Sequence, residues 1–199
     1  MRTSKIGAPS AFGLGIALLS LLSSCGYNEL QGLDEEVKAA WSEVQNQYQR
    51  RADLIPNLVA TVKGAANFEQ DTLTKVIEAR SNATALKVDA STLNNPEVFR
   101  KFEQAQSELS GALSRLLVVV ERYPDLKANQ NYRDLQAQLE GTENRIAVAR
   151  KRYIEKVAAY NKGVRFFPTN LTAKYLLNLE MRPTFSANEG AAEPPEVKF

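Results

Sequence analysis

Histidine is missing altogether from the 199 residues, and cysteine occurs once, at Cys25. Without an imidazole, Ser-His-Asp and Cys-His nucleophile systems cannot be assembled within the chain. Helical di-iron sites of the Glu-x-x-His kind and ordinary zinc sites fall with them. If Cys25 is acylated, no free thiol remains, and chemistry is left to carboxylates, Lys, Tyr, Ser and Thr. No cofactor and no metal ion are therefore expected. An excess of one charge is missing too, with 25 Lys and Arg against 23 Asp and Glu. A nucleic-acid binder would carry a basic excess, so that class is set aside. No strand-like alternation of useful length occurs. Wholesale disorder is excluded by a 44% hydrophobic content, enough for a packed core.

Long apolar runs are scarce. The one that stands out, AFGLGIALLSLL at residues 11–22, follows Arg2 and Lys5 and leads into Ser23-Ser24-Cys25. A membrane span needs about 20 apolar residues, so this run reads as the core of a secretory signal peptide. Leu22-Ser23-Ser24-Cys25 resembles the bacterial lipobox, which implies diacylglycerol on the Cys25 thiol, cleavage before it and acylation of the new amine. Cleavage would remove Arg2 and Lys5 and leave 23 basic against 23 acidic residues. The expected division is a lipoprotein signal peptide at 1–24, a tether at 25–33, a helical bundle at 34–181 and a disordered tail at 182–199. Gly26 rather than Asp follows the cysteine, which favours the outer membrane, facing the periplasm.

What remains is helical. Asp34 reads as a cap, followed by acids in a first turn. Val37, Trp41, Val44, Tyr48, Ala52, Ile55, Val59 and Val62 then recur in steps of three and four. Pro56 lies inside that stripe and predicts a kink near residues 52–55. Asn67 and Gln70 have capping-box spacing for a second helix, with a weaker face through Leu73, Val76, Ile77, Ala83 and Leu86. Asn95-Pro96-Glu97 is a strong helix start. Phe99, Phe102, Gln106, Leu109, Leu113, Leu116, Val120 and Tyr123 follow at the same spacing until Pro124 stops the helix. The longest stripe is Leu135, Leu139, Thr142, Ile146, Ala149, Tyr153, Val157 and Tyr160, ending near Gly163. A short amphipathic helix over 170–179, through Leu171, Tyr175, Leu176 and Leu179, completes the series. The fold class is all-α: an elongated antiparallel bundle of about four helices with a short C-terminal helix. Leu113, Leu116, Leu139 and Ile146 are expected in one core between the third and fourth long helices.

Three segments carry a family resemblance. QYQRRADLIPNLVATVKG at residues 47–64 resembles the first signature of the LemA family, and RYPDLKANQNYRDLQAQLEGTENRIAVARKRYIEKVAAYN at 122–161 the second. FFPTNLTAKY resembles the family's terminal FP motif. Ile154 departs from the pattern, where Tyr153 would usually be followed by Asn. The resemblance implies a long antiparallel bundle and no established catalytic activity. It also implies a place in the bacterial envelope, in some members beside envelope-stress or membrane-protease systems. Many members look anchored by a transmembrane helix, whereas this chain looks lipidated.

Functional signals are few. Arg145, Arg150, Lys151, Arg152, Lys156 and Lys162 gather at the end of the longest helix against Glu155 alone. Cations do collect at negative helix ends, and that is the plainer reading. The functional one takes Arg145, Arg152 and Lys156 as a face for an envelope protein partner. Glu140 and Glu143, with Asp134 and Asp53, could be taken as acid–base carboxylates, but no Gly-rich loop or nucleophile elbow accompanies them. Asn57, Gln106, Gln136 and Asn161 read as polar groups fixing helix register. Trp41, Tyr48, Tyr123, Tyr153 and Tyr160 read as core. The favoured function is a non-enzymatic scaffold held at the membrane through Cys25, possessing no catalytic residues. The alternative is an envelope hydrolase using Glu140 and Glu143.

Overall fold

Each of the long stripes is a helix, and the stripes face one another. The computed structural model describes residues 11–65, 68–86, 89 and 93–186, with side chains from residue 26 onward. Six helices are seen among them: α1 (Ala11–Lys63), α2 (Gln70–Ala85), α3 (Pro96–Val120), α4 (Pro124–Ala128), α5 (Gln130–Arg165) and α6 (Thr169–Tyr175). At about 1.5 Å per residue α5 is roughly 54 Å long. Its main neighbour is α1, which runs antiparallel to it. Glu36 meets Lys156, Arg51 meets Glu143, and Leu33 approaches Gly163. The other close pair is α2 with α3. This differs from the expected third-to-fourth pairing: the turn at Pro124 delivers the chain to α5, but α1 is the helix α5 lies along.

Helix starts follow local chemistry. The Asn95 side chain accepts from the amides of Glu97 and Val98 at 3.0 and 3.2 Å, with Pro96 in the first turn. Asn129 accepts from the Tyr132 amide at 3.2 Å to open α5. At α2 the residue before the helix is Glu69, with no side-chain cap, and Asn67 lies outside the described residues. Asp34 is not a cap either. Helix α1 continues through it from Ala11, and its buried carboxylate pairs instead with Lys38 and Arg182. The tether expected at 25–33 is accordingly helical in backbone, with Leu30 fully buried. Leu30 and Leu33 lie against Gly163: a Cβ there would stand 3.2 and 3.0 Å from their methyls, so this glycine permits close helix approach inside α5, which runs on to Arg165.

Pro56 does not end α1, which remains helical to Lys63. A proline cannot donate to the carbonyl four residues back, here Ala52. Arg80 of α2 supplies the missing donor, its Nε standing 2.8 Å from that oxygen. The local defect thus becomes a tertiary cross-link between α1 and α2.

The core has two compartments. One gathers Ile55, Leu58, Leu73, Leu109, Leu116 and Leu139 with their neighbours from α1, α2, α3 and α5. The other is aromatic, built on Trp41, Phe99, Phe102, Tyr153 and Phe185. Ile146 belongs to the second, not to the compartment of Leu113, Leu116 and Leu139 as expected, because a polar layer divides the stripes between residues 139 and 146. Helix α2 is too short to cover both halves. Residues 182–186, expected to be disordered, cover the aromatic half instead. Phe185 is buried against Trp41, Phe99 and Tyr153, with ring centroids 5.0 to 6.1 Å apart. The remainder of the expected tail, 187–199, lies outside the described residues.

Candidate functional site

The polar layer is centred on Arg51, which is 1% exposed. Its position is set by the α1 stripe: Arg51 stands three residues after Tyr48 and four before Ile55, both buried. The guanidinium donates to Ser110 Oγ at 2.6 Å, to Glu143 Oε1 at 2.8 Å and to both oxygens of Gln106, and lies over the Tyr48 ring. Gln106 passes the network on, donating to the Ala83 carbonyl at 3.2 Å. All four long helices thus meet through one cation. Arg51 has the three–four spacing of the α1 stripe but is not among its expected members, because a charged residue there reads as solvated until its partners are known.

This arrangement decides the roles of the two carboxylates. Glu143 is 43% exposed and is the counter-ion of the buried Arg51. Glu140 is exposed and accepts from Gln136 at 2.9 Å. Both border one open cavity with Leu58, Ser110, Leu139 and Asn144, but they serve different hydrogen-bonding partners. Asp53 accepts from Gln49, and Asp134 from Gln130, both on the surface. Among the described residues no group of carboxylates is placed to hold a metal ion. Asn57, expected near the core, is exposed.

A second buried charge pins the segment at 182–186. Arg182 is 6% exposed, pairs with Asp34 and lies over the Tyr160 ring. Its backbone and the Asn161 amide exchange two hydrogen bonds, at 2.9 and 3.0 Å. The Tyr153 hydroxyl donates to the Pro183 carbonyl at 3.1 Å, and Glu103 accepts from the amide and hydroxyl of Ser186. No periodic signal announces such a strap, since its backbone is held by side chains distant in sequence.

Burial raises the pKa of the Tyr153 phenol well above its ordinary value, with the Arg182 cation opposing the shift. Burial is likewise the first cause of the upward shifts at Tyr48, Tyr160 and Tyr132. The folded state therefore holds neutral phenols that would ionise near pH 10.0 when unfolded. Stability from these groups is fully present below that pH and is lost as pH rises towards the folded values. Urea midpoints should be flat from pH 8 to about 10 and fall above it. The Tyr153→Phe variant should show a shallower fall; an unchanged slope would remove Tyr153 from the account.

The three cations expected to form a partner face all lie on α5. Arg145 and Arg152 are exposed two turns apart, and no ion pair involves either among the described residues. Lys156, on the same side, is paired with Glu36 at 2.8 Å, and Arg150 with Glu103 at 3.3 Å. The side chain of Cys25 lies outside the described residues. Among those residues, no helix is long and apolar enough to cross a membrane.

A model of the LemA family matches residues 40–199. The chain is 26% identical over 149 residues to Protein LemA of Metamycoplasma hominis, covering 75% of this chain and 64% of that protein. It is 25% identical over 163 residues to magnetosome protein MamQ 2 of Paramagnetospirillum magneticum, covering 74% and 60%. To the MamQ protein of Magnetospirillum gryphiswaldense it is 23% identical over 186 residues, covering 83% and 68%. The chain thus spans 64% and 60% of the length of the first two relatives.

Proposed function

The chain belongs to the LemA family, and from that premise we propose that it is a membrane-anchored, non-catalytic scaffold of the bacterial cell envelope. Lipid on Cys25 holds it at the outer membrane, facing the periplasm, and a face of α5 presents cations to an envelope protein. A part in envelope stress or membrane-protein quality control follows from the kind of partner such a scaffold would hold. The supporting observation is the division of labour among the cations of α5. Arg150 and Lys156 are taken up by Glu103 and Glu36, whereas Arg145 and Arg152 are exposed and have no counter-ion among the described residues. Unpaired exposed arginines steer docking to an acidic surface at little cost in stability. Glu143, one of the two carboxylate candidates for hydrolysis, is paired with Arg51.

The anchor is tested by intact mass of the membrane-extracted protein. The expected species begins at Cys25 and carries acyl chains, because one chain alone holds poorly. A full-length unlipidated mass would remove lipidation from the proposal.

The scaffold is tested by crosslinking in cells. A specific envelope partner should be recovered, and Arg145→Glu with Arg152→Glu should lose it while the protein stays folded and abundant. Charge reversal at Lys156 should have a smaller effect, since Glu36 already neutralises it. Capture that is indifferent to both arginines would refute the assigned face.

A further inference from the structure

Exposed apolar residues are unevenly placed. Ile77, Val118, Val148 and Ile154 are dispersed along α2, α3 and α5, as single surface residues commonly are. At the other extreme, Phe166, Phe167, Leu171, Tyr175 and Leu176 fall within eleven consecutive residues and are 62%, 80%, 48%, 73% and 63% exposed. Leu171 and Tyr175 stand one turn apart on one face of α6, and Phe167 immediately precedes the helix, which makes a short apolar stripe at this corner. The amphipathic helix expected over 170–179 spans Thr169–Tyr175 and does not bury its large apolar side chains. Instead it buries Thr172 and Ala173 and presents the large side chains to solvent. Concentrated apolar exposure of this kind marks an interaction surface.

Three features of the molecule say what covers it. The stripe is bordered by Lys162, Arg165 and Lys174, all exposed and without an ion pair among the described residues, against Glu180 as the one acid in residues 162–181. Aromatic and aliphatic residues flanked by cations suit the boundary between headgroups and acyl chains. The stripe also sits where the chain meets its N-terminal apolar segment. Gly26 lies so close to α6 that a Cβ on it would stand 3.3 Å from Thr169 Cγ2. The candidate anchor is the preceding residue, and the apolar run of residues 11–22 leads into it.

We propose that the α6 corner is a second membrane contact, in which Phe167, Leu171 and Tyr175 enter the bilayer interface while Lys162, Arg165 and Lys174 meet anionic headgroups. This rests on the reading of the chain as membrane-anchored and adds what the anchor alone does not provide. Attachment at one point leaves a rod free to tilt, whereas a corner seated in the interface fixes its direction. The bundle then stands away from the membrane with the α5 face accessible along its length.

The test uses the full lipidated chain on vesicles of phosphatidylcholine and phosphatidylglycerol. Its one natural tryptophan, Trp41, is 2% exposed and serves as a constant background. Phe167→Trp adds a reporter in the stripe, and Val118→Trp adds one at the opposite end of the bundle, where Val118 is 71% exposed. The expected result is that the reporter at 167 loses most of its emission to lipids brominated on their acyl chains and becomes shielded from aqueous acrylamide. The reporter at 118 should remain open to acrylamide and indifferent to bromine. Flotation is read on the same samples. Protein that floats while the 167 reporter stays aqueous overturns this inference and leaves the anchor standing; protein that does not float overturns both. Shielding at 167 without bromine quenching means another copy or protein covers the corner, and quenching at both positions means the rod lies flat. Each of those two results also overturns the proposal.

Discussion

Replacing Arg51 by methionine should destabilise the bundle by about 3–5 kcal/mol, the range for removing one partner of a buried charge network. The methionine keeps the apolar stem, so the loss isolates the guanidinium. Its removal strands the Gln106 side-chain oxygen in the core and takes the donor away from Ser110 and Glu143. Glu143 recovers water because it is 43% exposed; Gln106, 7% exposed, does not. Guanidinium unfolding with an unchanged m-value should show the drop as a lower midpoint. Glu143→Gln should cost less, about 1–3 kcal/mol, since the amide oxygen still accepts from Arg51 while the counter-charge is gone. Glu140→Gln should stay within about 0.5 kcal/mol, as for an exposed residue bonded only to a neighbour on its own helix. The comparison bears directly on function. A scaffold predicts that any defect of Glu143→Gln in cells tracks its abundance and that Glu140→Gln is silent. Loss of function in both variants at normal abundance would require catalysis instead.

Leu116→Ala and Leu139→Ala should each cost about 2–5 kcal/mol. Both side chains are buried in the compartment that α1, α2, α3 and α5 share, at 0% and 5% exposure. Leu116 should stand higher in that range, since a fully enclosed site cannot relax into the space left behind. Ile146 lies across the polar layer in the aromatic compartment, so Leu116→Ala and Ile146→Ala should combine additively within about 0.5 kcal/mol. Coupling well beyond that would mean that the Arg51 layer does not separate the two halves.

The apolar stripes of α1, α3 and α5 were readable to within a residue because helical periodicity is a local property, settled by which side chains share a face. The caps at Asn95 and Asn129 were equally local, each a side chain within three residues of the amides it accepts from. Local order also made Pro56 visible, though not its remedy: the donor to Ala52 comes from Arg80, on another helix. Among the candidate residues, Arg145 and Arg152 proved exposed, but the pairing of Lys156 with Glu36 required knowing that α1 lies antiparallel to α5.

What periodicity cannot state is whether a face meets protein or water. Leu171 and Tyr175 of α6 are spaced as on a core helix, yet they point outward, and the helix buries only Thr172 and Ala173 against α1 and α5. The opposite holds at residues 182–186, which lack any pattern and are held by Asn161, Tyr153, Asp34 and Glu103. Arg51 and Arg182 follow the same logic. A buried cation is tolerable only where separate helices converge to solvate it, and that convergence exists in three dimensions alone. The sequence by itself therefore determined the long helices and their apolar faces. The tertiary structure decided which faces close on each other, where charge is buried, and which apolar surface is left for something other than this chain.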